Sequence, residues 1–468
     1  MTAATAAAQP AAPEVSYRFS YELAGADIVT VELAWPDPLR AAAPLVMPRA
    51  IPMGYGEQHY DQFVSDVEAF AGSSATAAPV REEGPRWRLA AGTTRVRYRV
   101  NLREMEREVR AASDASRVRD GYLGALGYSV FAFVDGFEQR PVRLRVEAPP
   151  AWPVFCTLAP GWPVTTAAVE GRAPDFYALA DAQIVLGPRA VIRRLTDTPA
   201  PLYLAAYAEG DVDLDRLGRL AATAYQRVID YFGTVPFRHY TIHQELLTPL
   251  SPRHEYGMSM EHLDSSTYYL AASAGLTATS TADDDARVLY NFAHHIAHAW
   301  VPKRAYGTGY FPFQWELAPV LDSIWFAEGF GQYAAIVAVA AGTPDPAAYR
   351  QRMLQRRFRA NVASAPDFLR KMTLVELSRV ASTRYAEDFR TGRLVFSRGG
   401  LMAAALDDHI RSETKGARSL RDALRYVVTW TAREQRAFRN EELAGLIREA
   451  TGVETGPIIE EWMGPVEK

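Results

Sequence analysis

From about Tyr17 to Leu158, apolar and polar residues alternate with period two. Val29, Val31, Leu33 and Trp35 stand against Thr30 and Glu32, Val96, Tyr98 and Val100 against Arg95, Arg97 and Arg99, and Val142, Leu144 and Val146 against Arg143 and Arg145. Such alternation predicts antiparallel strands with one face in a core and the other in water. Turns bearing Pro and Gly separate them, so a β-sandwich is the expected arrangement. The Pro-rich stretch Pro149 to Pro163 is where the chain is expected to leave it.

Beyond about Pro201 the period changes. Leu214, Leu217, Leu220, Ala221, Ala224 and Val228 recur at helical spacing, with Gly233 placed as a C-terminal cap. Tyr240 to Ile242 and Ser259 to Leu270 read as strands, followed by a helix from about Asp283. Leu401 to Ile410, Leu420 to Val428 and Leu443 to Ala450 make the last third mainly helical. The fold class expected is therefore α+β and multidomain: an N-terminal β module, a mixed module and a C-terminal helical module.

Composition adds exclusions. With 468 residues, 48% of them hydrophobic, the chain is long enough for several cores. The 51 basic and 55 acidic residues nearly cancel, so no nucleic-acid or anionic-membrane partner is expected. Cys156 is the only cysteine, which leaves nitrogen and oxygen to hold any metal. The Ala/Pro-rich opening lacks the basic start and apolar core of a secretory signal, and the compartment stays open because a signal can be trimmed. No apolar run reaches the ~18 residues that span a bilayer. Neither a P-loop nor a Gly-x-Ser-x-Gly elbow is present, and nothing fixes the oligomeric state.

The candidate chemistry lies in two segments. In Asn291-Phe-Ala-His-His-Ile-Ala-His-Ala-Trp300, His294 and His298 are four residues apart. On a helix this places both imidazoles on one face, within reach of one Zn2+. Val288, Phe292, Ile296 and Trp300 form a roughly opposite apolar stripe, which suits a helix between a core and a cleft. In Trp325-Phe-Ala-Glu-Gly-Phe330, Glu328 is a carboxylate among apolar residues, costly to bury unless paired or bound to metal. It is the candidate third ligand; a salt bridge to Lys303 or Arg304 is the alternative. A shifted register would let His295 and His298 ligate instead. Glu261, on a candidate edge strand, could meet an ammonium group while that edge pairs with a peptide. Tyr256, Trp300, Tyr306, Tyr310 and Trp315 are either cleft aromatics or core. The charged run Arg350 to Arg359 reads as a solvated helix face.

These segments resemble the glycyl aminopeptidases among the gluzincin metallopeptidases. His298-Ala-Trp300-Val-Pro-Lys303-Arg304 is similar to that family's His-x-Trp-x-x-Lys-Arg segment. Glu328-Gly329-Phe330 with Tyr333 is similar to its Glu-Gly-Phe/Tyr segment, and Tyr256-Gly-Met-Ser-Met-Glu261-His262 to its Gly-Gly-Leu-Glu-His strand. The Ala/Pro-rich opening reads as a flexible leader over 1–15, and the resemblance implies beyond it an N-terminal β domain over 16–165, a thermolysin-like metal-binding domain over 166–345 and a helical domain over 346–468. It also implies one Zn2+ on His294, His298 and Glu328, with Glu261 receiving the α-amino group of a peptide or another amino-containing substrate.

Two positions depart from the family. Its His-Glu-x-x-His motif carries the catalytic base at the position of His295, and its Tyr-Tyr-x-Lys-Gly segment carries an oxyanion-stabilising phenol where Val395-Phe396-Ser397-Arg398-Gly399 has Phe396. A neutral imidazole with a pKa near 6.5 can accept a proton, although with a different shape and charge. Losing one oxyanion donor costs about 10²- to 10³-fold in rate. The sequence therefore leaves three readings: a divergent zinc metallohydrolase with His295 as base, a peptide-binding protein without turnover, and a repurposed two-histidine, one-carboxylate site holding iron or another divalent metal.

Overall fold

The computed structural model describes residues 13–25, 27–76, 78–109, 114–251, 254, 256–385 and 388–466. Most of the Ala/Pro leader, residues 1–12, lies outside them. One compact unit takes in the described residues up to Pro48, Tyr60–Glu106 and Ser116–Pro188; the other takes in Arg49–His59, Arg107–Ala115 and the chain from Arg189 onward.

The first unit is built from the alternating segments. Its seven-stranded sheet runs Ala168–Ala173, Val142–Glu147, Val15–Tyr21, Ile28–Ala34, Arg95–Asn101, Val64–Ala71 and Ser74–Ala75. Val29, Val31, Leu33, Val96, Tyr98, Val100, Leu144 and Val146 are buried. The alternate arginines point to water, where Arg95 pairs with Glu32, Arg97 with Glu68 and Arg99 with Asp66. All pairings in this sheet are antiparallel except one, since Val15–Tyr21 lies parallel to Val142–Glu147. Sheets of five and four strands complete the unit. Buried phenols tie elements together, with Tyr17 donating to the Ala132 carbonyl and Tyr98 to that of Val130. Within the Pro-rich stretch, Pro153–Cys156 is itself a strand, paired with Gln183–Leu186, and the unit runs on to Pro188.

The second unit holds a five-stranded sheet in the order Val191–Thr196, Leu202–Ala208, Tyr240–Leu247, Ser265–Ala271 and Gly257–Glu261. The helix predicted from Leu214 runs to Phe232 and is capped by Gly233, whose φ of 66° suits a residue without Cβ. Tyr240–Leu247 is buried along its whole length, longer than the pattern predicted, because the polar residues His243, Gln244 and Glu245 interrupt an apolar run that parallel neighbours cover on both sides. The span read as one strand from Ser259 to Leu270 is a hairpin. Its turn is closed by His262 N–H donating to the Ser265 carbonyl, and its first arm, Gly257–Glu261, is the sheet edge.

Behind this sheet lies the histidine helix, Ala282–Ala297. Thr281 and Asp284 cap its start reciprocally, and three aspartates occupy its first turn, where the helix dipole favours them. Phe292 meets Tyr268 edge-on, and Trp300 stacks on Phe232 with ring centres 4.4 Å apart while its indole donates to Thr234. Trp300 is thus core. The C-terminal part is helical, with Phe389–Glu413 the longest element, followed by Leu420–Glu434, Leu443–Thr451 and Gly456–Met463. Among the described residues no helix is long and apolar enough to cross a membrane.

Candidate metal centre

The histidine helix ends at Ala297, so His298 is its C-terminal cap, still in helical conformation. His298 Nδ1 lies 2.7 Å from the Val301 carbonyl, an acceptor, so this nitrogen donates and Nε2 is the one turned toward His294 and Glu328. His294 Nε2 stands 2.8 Å from His298 Nε2. Glu328 comes from a wide π-type turn, Trp325–Phe330, that continues into the helix Gly331–Ala340; such turns recur at functional sites because they re-aim a side chain within a continuous helix. Its Oε2 lies 3.4 Å from His294 Nε2 and 3.7 Å from His298 Nε2. Gly331 lets this segment approach, since a Cβ there would meet the His298 ring at 2.9 Å.

Glu328 is 6% exposed, and its other oxygen accepts from the Tyr55 hydroxyl at 3.0 Å. The salt bridge considered from sequence is not made: Arg304 binds Asp264 and the Leu263 carbonyl, and Lys303 Nζ donates to the Pro52 carbonyl. Burial pushes the Glu328 carboxyl up to about 7, with neighbouring Glu261 adding to the rise and His298 and two hydrogen bonds opposing it. Burial and the adjacent His298 and His295 hold His294 well below its ordinary range, hence neutral at pH 7.

The donor set fits a tetrahedral divalent ion. Ligand bonds of 2.0–2.1 Å place ligand atoms roughly 3.3 Å apart, and the three atoms here lie within 4.8 Å of one another. A buried carboxylate with a raised pKa, facing the Nε2 atoms of His294 and His298, is the arrangement a cation would complete. His295 does not join them. Its Nδ1 lies 3.0 Å from the Asn291 carbonyl, the Ser259 backbone on the edge strand holds it as well, and its ring meets Tyr268 edge-on. Burial and His298 lower its pKa to about 4, so it is neutral at pH 7.

Glu261 ends the edge strand and is 7% exposed. Burial works against its ionisation, yet His298, Lys303 and His295 together hold its carboxyl below the ordinary value. Phe396, read from the sequence as replacing the family's phenol, lies among tyrosines. Tyr385 stacks on Phe396 with ring centres 6.0 Å apart, and Tyr55 lies 5.3 Å from Tyr385. The Tyr310 hydroxyl is buried near that of Tyr55, and Glu261 and Glu328 both act on it electrostatically. Sequence reading missed Tyr55, which precedes Glu328 by 273 residues. Its Met53-Gly54-Tyr55-Gly56 setting, a non-strand interruption in an otherwise alternating region, was the available signal.

The profile of the Peptidase M61 N-terminal domain matches residues 16–188, and that of the M61 glycyl aminopeptidase matches residues 287–388. Solved structures of similar fold include an aminopeptidase N family protein from Idiomarina loihiensis, with a TM-score of 0.83 and 18% identity over 97% of this chain and 76% of that one. An M1 zinc metallopeptidase from Deinococcus radiodurans matches with a TM-score of 0.55 and 15% identity over 98% of this chain and 94% of that one. Native yeast LTA4 hydrolase gives 0.57 and 13% over 97% and 68%. At such identities the likeness concerns the fold. No curated protein matches the chain in sequence.

Proposed function

Since the chain belongs to the M61 glycyl aminopeptidase family of gluzincins and has the fold of zinc metallopeptidases, we propose that it is a divergent aminopeptidase-like metallohydrolase acting at the amino-terminal end of peptides. The observation that carries this reading is the convergence of His294, His298 and Glu328 beside the buried carboxylate of Glu261. A zinc ion held by the three would polarise the scissile carbonyl and acidify water. Glu261, kept ionised, would receive the substrate's α-ammonium group, and the open edge of Gly257–Glu261 would pair with the peptide backbone. A mutant of the Deinococcus radiodurans enzyme has been seen bound to a Tyr-Ser-Ala substrate, which agrees with peptides as the substrate class.

His295 is the proposed base. Burial places its basicity near that of an ordinary carboxylate, in spite of the different charge. Tyr310 is the proposed oxyanion donor in place of the phenol absent at Phe396, because its buried hydroxyl lies close enough to Glu261 and Glu328 to feel both and can donate to a charge developing between them. Tyr55 is assigned to orienting Glu328.

The test is hydrolysis of an aminoacyl and dipeptidyl anilide panel by zinc-loaded protein, beside His298→Ala. Turnover that disappears together with the metal supports the hydrolase. Zinc retained without turnover leaves the peptide-binding reading.

A further inference from the structure

The basic run Arg350 to Arg359 behaves only partly as a solvated face. Arg350 is absorbed by Tyr333 and Asp408. Arg357 is exposed, as that reading expects, but its guanidinium carbon also stands 4.1 Å from the centre of the Tyr290 ring, and that ring stacks on His294 with centres 6.2 Å apart. No described carboxylate lies within ion-pair distance of it. Arg357 borders a cavity of about 510 Å3 whose polar lining includes Gln244, Tyr268, Arg287 and Asn291. No described Asp or Glu lines it. Arg287 alone has a nearby acid, Asp284.

Cavity and metal ligands share one helix face, because residues 287, 291, 294 and 298 follow one another at helical spacing. The edge strand fixes a direction along that face. Ser259 meets Asn291, at the cavity, whereas Glu261 acts on His298, at the ligands. A peptide whose ammonium group sits at Glu261 and which pairs with this edge therefore runs past the ligands toward the cavity. Arg357 borders the cavity and acts electrostatically on His294, so it stands on the side toward which the residue beyond the scissile carbonyl extends.

We infer that this cavity is a carboxylate subsite on the leaving-group side, so that the favoured substrates are dipeptides with a free C-terminus. The inference rests on the hydrolase reading above for the direction of the peptide. In the reaction water adds to the scissile carbonyl carbon, the C–N bond breaks, and the leaving amine takes the proton. Arg357 contributes only to binding the carboxylate of the residue that leaves, by a charge-assisted hydrogen bond.

The experiment compares Ala-Ala with Ala-Ala-amide on the zinc-loaded full chain. The acid should be favoured by roughly tenfold or more in kcat/KM, the worth of one charge-assisted hydrogen bond. Arg357→Gln should collapse that ratio, chiefly through KM, and Arg357→Lys should restore part of it. Equal handling of acid and amide by the parent, or a ratio unchanged in Arg357→Gln, overturns the subsite while leaving the hydrolase standing. If the parent turns over neither, the hydrolase reading has failed. Calorimetric binding of the same two compounds then decides the subsite: a preference for the acid that Arg357→Gln abolishes supports it, and equal or absent binding overturns it.

Discussion

The Tyr55 hydroxyl donates to Glu328 Oε1 at 3.0 Å, while Glu328 Oε2 faces His294 and His298. One oxygen of the carboxylate is thus fixed and the other presented. Partners of this kind orient a ligand, and their loss costs about 10- to 100-fold in metal affinity. Tyr55→Phe should weaken zinc binding by that amount in competition with a chelator of known affinity, with the fold unchanged by circular dichroism. Affinity equal to the parent's would remove Tyr55 from the ligand's support.

Metal binding should also be linked to the proton on Glu328. Its pKa is raised in the bare site to about 7, so the folded protein binds a proton that the unfolded chain releases near ordinary carboxylate values. For this group the sign is clear. The metal-free protein loses stability as pH rises from about 4.5 through 7, and a cation restores it. Zinc should therefore raise Tm more at pH 8 than at pH 5.5, and a zinc-induced shift of equal size at both would contradict the link.

His295 invites a substitution in each direction. His295→Ala should lower kcat by about 10²- to 10⁴-fold, the range of general-base catalysis. His295→Glu, which restores the carboxylate of the family motif, should retain or exceed the parent's rate. Full activity in His295→Ala would instead assign the ring to tying the histidine helix to Ser259 of the edge strand.

Much of this was legible before the fold was known. The grouping of His294, His298 and Glu328 was, because helical spacing puts His294 and His298 on one face and because a carboxylate among Trp325, Phe326 and Phe330 demands a partner. The strands of the first unit were as well, since Arg95, Arg97 and Arg99 mark the wet face directly. What escaped was whatever depends on distant segments meeting. Tyr55 precedes its partner by 273 residues, and the cleft position of Arg357 depends on how its helix lies against Tyr290. Tyr240–Leu247 was read short for another reason. Its interior polar residues broke the apolar run that identifies a covered parallel strand.

Tyr310 tests whether the oxyanion donor has changed residue. If its buried hydroxyl serves that role, Tyr310→Phe should reduce kcat by about 10²- to 10³-fold with little change in KM. The reverse variant, Phe396→Tyr, should recover part of the loss in the Tyr310→Phe background. An unchanged kcat in Tyr310→Phe would turn attention to Tyr385, whose ring stacks on Phe396.

The last expectation concerns the scaffold that presents Glu328. Gly329 follows the ligand and faces Gly399 of the long helix Phe389–Glu413, and a methyl group on Gly399 would overlap the Trp325 carbonyl, a backbone atom that cannot rotate away. Two glycines thus permit a backbone approach that larger residues would prevent. Gly399→Ala forces the π-type turn and the helix apart, an overpacking change of about 1–3 kcal/mol. The expected result is a lower Tm together with weaker zinc binding, because the displaced turn carries Glu328. Ser397→Ala, two residues away, removes only a hydroxyl bonded to the Arg393 and Arg357 carbonyls and to Asn361, and should leave zinc affinity as it was. Should Gly399→Ala lose stability while keeping its full zinc affinity, the approach would matter for packing alone and not for aiming the ligand.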